Sequence, residues 1–269
     1  MGSFRTTLNR GLARLGYRLV RTGRNDMSAV TGLRRDLGAR IEASCDGKVM
    51  TGPFAGMRLP PVDAWGANDR APRLLGTYEA DLHPAIEAEI ARKPDWIFNI
   101  GAADGYYAVG LARRLPEARI VAYDPLAQAR EATRRAAELN GVGGPRWQFA
   151  AAFDPETFQP PAEGEHGLMF VDCEGCEASF CESMPASAFA RVSLLIESHD
   201  FIVPGIGKRL AAHFAPTHDV TMIREGGRDP NRFEILRKLG SFERLLAMTE
   251  DRPEAMDWVW AVPKVPNRA

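Results

Sequence analysis

Long apolar runs are missing from this chain. No window approaches the roughly eighteen consecutive apolar residues that a membrane-spanning helix needs, so none is expected. Net charge is nearly absent as well: 34 basic side chains against 35 acidic ones leave a formal charge of −1. No global field therefore draws in nucleic acid or an acidic surface. Cysteine is scarce, at 4, and no second Cys or His pair accompanies the spacing of Cys173 and Cys176. A structural zinc site built from two such pairs is not expected. Arginines interrupt what would have to be the apolar core of a secretory signal near the start, so the thiols are expected to be reduced and the chain cytoplasmic. Internal repeats and low-complexity tracts are lacking too.

What is there is 269 residues of 45% hydrophobic composition, enough for one large α/β domain with an extension. Residues 1–24 carry six arginines and no acid, with Phe4, Leu8, Leu12, Leu15 and Leu19 at three- and four-residue steps. That pattern marks a basic amphipathic helix, read as docked on the domain with its arginines in solvent; a peripheral membrane or partner contact is the alternative reading. Residues 26–75 are rich in Gly, Pro and Arg, with short strand-like pieces such as KVM and a turn at GPFAGM. Residues 1–76 are read as an N-terminal extension and 77–269 as one domain.

A helix is expected from Tyr78 to about Arg92, acidic early and basic late as the helix dipole favours. From Trp96 the chain alternates. WIFNIG, ARIVAYD, WQFAAAF, GLMFVDCEG, VSLLIESHD, DVTMIRE and DWVWAVP read as strands. GYYAVGLARRL, LAQAREATRRAAELN, CEASFCESM, GKRLAAHFA and a stretch from Arg232 to Leu246 read as helices. Such alternation implies a largely parallel sheet covered on both faces, with ligands at the carboxyl ends of its strands.

The loop Gly101-Ala-Ala-Asp-Gly105 follows the first strand. A dinucleotide loop needs G-x-G-x-x-G, and here Ala103 occupies the place of the second glycine. Asp104 would repel a phosphate but suits a helix N-cap or a positively charged ligand. Asp124 ends the second strand, twenty-three residues after Gly101, where a carboxylate can accept both ribose hydroxyls of an adenosyl group. NAD enzymes use the same device, so that residue alone leaves both readings open. MFVDCEGCE delivers Asp172 and Glu174 to the sheet edge, and LLIESHD delivers Glu197, His199 and Asp200 one strand later. Such a group could act as general base, metal ligands or substrate holders.

NIGAADGYYAVGLA, VAYDP, VDCEGCE and LLIESHD, in that order and spacing, resemble the FkbM-type family of class I S-adenosylmethionine-dependent methyltransferases. Asp172, Glu174, Gly175 and Glu177 match its Asp-x-Glu-Gly-x-Glu motif, while Asn99 and Ala103 stand where its first motif has an acid and a middle glycine. The resemblance covers about residues 76–200. It implies a Rossmann-like fold with a mostly parallel seven-stranded sheet, S-adenosyl-L-methionine as cofactor, and O-methylation of a sugar or small-metabolite hydroxyl. Asn99, Gly101, Asp104 and Gly105 would line the methionine side, with Ala102 and Tyr106 beside them. Asp124 would take the ribose and Asp154 would border the adenine. Asp172, Glu174 and His199 are the candidate bases and acceptor holders. A divalent metal on Asp172 and Glu197 would lower the pKa of a bound hydroxyl, but nothing in the sequence requires one. The Asn- or Asp-Pro-Pro-aromatic turn of amino-methylating nucleic-acid enzymes is absent, so nucleic acid is not the expected substrate. The rivals are a methyltransferase-like domain that binds a partner without catalysis, and an NAD-dependent oxidoreductase.

Overall fold

The computed structural model describes residues 28–61 and 68–264. The alternating segments form seven strands: β1 Trp96–Ile100, β2 Arg119–Tyr123, β3 Trp147–Ala150, β4 Gly167–Val171, β5 Val192–Ser198, β6 His218–Ile223 and β7 Asp257–Pro263. One sheet holds them in the order β3-β2-β1-β4-β5-β7-β6. All pairings from β3 to β5 are parallel, and β7 lies antiparallel between β5 and β6. This is the Rossmann-like methyltransferase arrangement expected, closing antiparallel strand included. Strand order reverses between β1 and β4, which opens a crevice at their carboxyl ends.

The helices are α1 Ser28–Cys45, α2 Arg70–Leu75, α3 His83–Arg92, α4 Tyr106–Arg114, α5 Ala127–Leu139, α6 Ala178–Glu182, α7 Ile206–Phe214, α8 Glu234–Arg237 and α9 Ser241–Leu246. Among the described residues no helix is long and apolar enough to cross a membrane. Successive strand side chains feed opposite faces, as the two-residue period requires. Ile97, Ile120, Leu168, Phe170 and Leu195 join Leu37 and Ile41 of α1, Ile86 of α3 and Leu111 of α4 on one face. Phe98, Val121, Met169, Val171 and Ile196 join Phe180 of α6 with Leu210 and Phe214 of α7 on the other. Each large apolar side chain buried this way contributes about 1.5–3 kcal/mol.

Four expectations change. Ser28–Cys45 is a helix of 18 residues, although its glycines suggested irregular chain. Leu33, Leu37 and Ile41 recur every four residues, and Gly38 lets the helix cross α2 closely, since a β-carbon there would lie 3.0 Å from that of Arg70. The strand-like piece KVM contributes one isolated bridge, Lys48 with Arg58. The helix expected from Tyr78 starts later: Glu79 is left-handed (φ +49), a 3-10 turn covers Ala80–Leu82, and α3 begins at His83. The stretch from Arg232 to Leu246 splits into a 3-10 turn and the short α8 and α9, because Gly240 is extended and donates its N–H to Glu243. The arginine-rich segment 1–24 lies outside the described residues.

Candidate functional site

The loop after β1 is held from three sides. Gly101 (φ +79) and Ala102 both donate their N–H to the Tyr123 carbonyl, at 2.9 Å each. Ala103 (φ +47) donates to Asp124 Oδ2 at 3.0 Å, and its carbonyl accepts from the Thr133 hydroxyl at 3.1 Å. Gly105 (φ +88) packs against Thr133 of α5 and caps α4. Asp124 is buried, and its second oxygen accepts the N–H of Leu126 at 2.9 Å. One carboxylate thus ties the loops after β1 and β2 together, leaving each oxygen a lone pair.

Asp104 faces α2. Its Oδ2 accepts from Arg73 Nη1 of α2 at 2.7 Å, and the guanidinium lies 4.7 Å from the Tyr78 ring centre and 5.3 Å from that of Tyr106. Tyr106 is buried edge-on against Phe54 and Tyr78, and burial pushes its hydroxyl above the usual range. Asn99 is buried in β1 and its Oδ1 has no hydrogen-bond partner. Asp154 stands apart: it is exposed and caps its own turn by accepting the Glu156 N–H at 2.9 Å. Asn99, Gly101, Ala102, Asp104, Gly105, Tyr106 and Asp124 therefore gather around one loop, and Asp154 does not join them by any bond.

Asp172, Glu174, Glu197 and His199 meet at the ends of β4 and β5, in a cavity of about 80 Å³ also lined by Asp69, Tyr78, Glu79, Glu250, Asp251 and Arg252. His199 is 1% exposed. Its Nδ1 lies 2.7 Å from Oε1 of Glu177, itself fully buried, and its Nε2 faces Asp172, Glu174 and Glu197 at 3.4 to 3.6 Å. Arg252 spreads its three nitrogens over Glu79 (2.6 Å), Glu250 (2.9 Å) and Glu197. Tyr107 donates its hydroxyl to Glu79.

The electrostatics follow from this crowding. Burial, then the Glu197 charge, pushes Glu79 up to about 8 against the pull of Arg252. Burial, Glu197 and Glu79 push Asp172 well above the carboxylate range. For His199 burial works downward, but the hydrogen bond and charge of Glu177, with Glu197 and Glu174, outweigh it and raise the ring. Burial opposes the Arg252 charge, and Glu79 and Glu197 more than offset it. The oxygens of Asp172 and Glu174 with Nε2 of His199 are the donors that could hold a cation, and the loop at Gly101–Gly105 with Asp124 is the surface that could hold a nucleoside.

Reading the motifs missed Arg73, Glu79, Glu250 and Arg252, which come from outside them. Cys173 and Cys176 correct the expectation of reduced thiols: they form a disulfide. The left-handed turn at Glu174 (φ +54) and Gly175 (φ +108) brings their Cα atoms to 5.5 Å, within disulfide reach.

No protein-family model and no curated protein matches the chain. Among solved structures, it is similar to an O-methyltransferase from Bacillus cereus in complex with SAH, at 13% identity over 98% of this chain and 100% of that one, with a TM-score of 0.47. It is also similar to the O-methyltransferase TomG from Streptomyces achromogenes in complex with SAM (13% identity, 96% and 98% coverage, TM-score 0.46). An rRNA methylase from Streptococcus thermophilus is similar at 10% identity, over 68% of this chain and 96% of that one, with a TM-score of 0.44. At such identities the likeness concerns the fold.

Proposed function

We propose that this protein is an S-adenosylmethionine-dependent methyltransferase of the FkbM type, acting on a hydroxyl of a sugar or small metabolite. The observation that carries the reading is the contact between the two halves of the site. Gly101 lies so close to Asp172 that a β-carbon would fall 1.6 Å from the Asp172 backbone oxygen. A loop suited to an adenosyl-bearing ligand therefore abuts the acids suited to a hydroxyl.

The residues present fit the cofactor. Asp104 and Arg73 offer a carboxylate and a guanidinium side by side, which matches a zwitterionic methionyl end better than a pyrophosphate. The free lone pairs of Asp124 can accept ribose hydroxyls. S-adenosylmethionine, when bound, supplies an electrophilic methyl carbon. The chain's share is to position the acceptor, exclude water and take up its proton. Asp172, Glu174 and His199 are placed to hold the hydroxyl and that proton. Asp154, being exposed and engaged in its own turn, has the weakest claim to a cofactor contact.

Calorimetric titration with S-adenosylhomocysteine and, separately, with NAD tests this. Binding of the former alone, weakened roughly tenfold or more in Asp124→Ala through loss of charge-assisted hydrogen bonds, is expected. Binding of NAD alone would sink the reading, and binding of neither would favour a domain that holds a partner without catalysis.

A further inference from the structure

We infer that Cys173 and Cys176 form a thiol–disulfide exchange site, and that its oxidation state decides whether the loop after β4 holds Glu174, Glu177 and His199 in their present arrangement. The bridge joins residues 3 positions apart between β4 and α6, with Glu174 and Gly175 inside the ring. So short a closure takes little freedom from an unfolded chain, because the entropy a cross-link removes grows with the loop it closes. Stability of the whole fold is therefore a poor account of it. What the ring holds is local: Glu174 and Gly175 are both left-handed, at φ +54 and φ +108. Glycine enters that region freely and glutamate does not, so a cross-link spanning the turn keeps Glu174 there.

The same turn carries contacts that build the site. The Cys173 N–H donates to Oε1 of Glu177 at 3.4 Å, and Sγ of Cys173 lies 3.5 Å from that oxygen, which also faces Nδ1 of His199 at 2.7 Å. In the disulfide this sulfur carries no hydrogen. Once reduced, it is an S–H donor within reach of the oxygen that holds the imidazole, and it competes for that oxygen. The turn also packs closely on its neighbours. A β-carbon at Gly101 would lie 3.4 Å from Cα of Cys173, and one at Gly175 would lie 3.0 Å from Cγ2 of Ile202. Opening the ring thus reaches the loops after β1 and β5 as well as Glu174.

Exposure permits the exchange. Cys176 is exposed and Cys173 is half-buried, so attack falls on the Cys176 sulfur. One thiolate of a small dithiol bonds to that sulfur, the S–S bond breaks, and Cys173 leaves with the electron pair and takes a proton. The second thiolate of the reductant then displaces Cys176, which is protonated in turn, and the dithiol departs as its own cyclic disulfide. Two electrons have passed to the protein. Oxidised glutathione runs the reaction backwards: the Cys176 thiolate attacks it and expels one glutathione, and the Cys173 thiolate expels the other as the bridge reforms. The exchange does not depend on the methyl-transfer reading. Only its meaning rests on that reading: redox control of the half of the site that receives the hydroxyl.

Thiol titration and amide hydrogen exchange on the full chain test this, with dithiothreitol as reductant and oxidised glutathione as oxidant. Under native conditions dithiothreitol should expose two further thiols per chain, which peptide mapping places at Cys173 and Cys176, and oxidised glutathione should remove them. Exchange over residues 172–178 should be roughly tenfold or more faster in the reduced protein, with β1 and β2 unchanged. Cys176→Ser should exchange as the reduced protein does, with or without dithiothreitol. Thiols that appear only in denaturant would make the bridge a fixed staple and overturn the inference. Equal exchange over 172–178 in the two oxidation states would do the same, as would a chain in which oxidised glutathione never joins Cys173 to Cys176. None of these measurements uses S-adenosylhomocysteine, so a failure here leaves the calorimetric test of the cofactor standing.

Discussion

A β-carbon at Gly101 would meet the backbone of Asp172, not the movable end of a side chain. Gly101→Ala thus adds a clash of about 1–3 kcal/mol to the roughly 1–2 kcal/mol that an L-residue pays at its φ of +79. Urea unfolding should show a loss of about 3 kcal/mol or more, or no folded protein. Gly141 supplies the contrast: φ is +66, yet nothing lies within 4 Å of its added β-carbon. Gly141→Ala should cost only the backbone share, about 1–2 kcal/mol. Equal losses at the two sites would mean that the Asp172 contact is not what makes Gly101 a glycine. The glycine itself is visible in the sequence; the atom it makes room for, seventy-one positions later, is not.

At the level of elements, Arg252 links three segments: the end of β5 through Glu197, the turn before α3 through Glu79, and the segment after α9 through Glu250. Its side chain is 11% exposed, and Glu79 and Glu197 are more buried still. Removing one partner from such a cluster leaves charge buried without compensation. Arg252→Met should therefore destabilise by about 3–5 kcal/mol in chemical denaturation, and added salt should change that figure little because the groups are shielded from solvent. A loss below about 1 kcal/mol would reduce the cluster to a surface ion pair. In sequence Arg252 sits in a short polar stretch and reads as a solvated charge, since Glu79 lies 173 positions away.

Over the whole molecule, His218 anchors the outer strand β6 to the middle of the sheet. The ring is 1% exposed, its Nε2 lies 3.2 Å from the Phe189 carbonyl and 3.1 Å from that of Val192, and its Nδ1 lies 2.7 Å from the Thr217 hydroxyl. A neutral ring meets these partners by donating from Nε2 to the carbonyls and accepting the Thr217 hydroxyl at Nδ1. Burial pulls its pKa below 6.5, and the bonds to Val192 and Phe189 offset this only in part. As pH falls through 6.5 the unfolded chain takes up a proton that the folded ring refuses. The contribution is full above that pH and is lost progressively below it until the folded ring titrates. Urea unfolding between pH 7.5 and 5 should show stability falling with acid by up to about 1.4 kcal/mol per pH unit from this residue, and His218→Gln should flatten that slope. An unchanged slope would assign the acid sensitivity elsewhere.

Strand and helix alternation after Trp96, the closing antiparallel strand and the loop carrying Gly101, Asp104 and Gly105 were legible because they rest on local periodicity and backbone chemistry, which neighbouring residues encode. The grouping of Asp172 and Glu174 with His199 was legible in outline, because parallel strands deliver their carboxyl ends to one edge. Helix α1 was not, since its glycines speak against a helix until α2 packs across Gly38. The single helix read over Arg232–Leu246 failed for a related reason: its apolar spacing persists through a glycine that the folded chain uses as a corner. Tertiary structure alone decided that Arg73 meets Asp104, that Arg252 gathers Glu79 and Glu197, and that Glu177 stands behind His199. Each of those depends on side chains far apart in sequence meeting where water is excluded, and no local pattern records which charges the fold brings face to face.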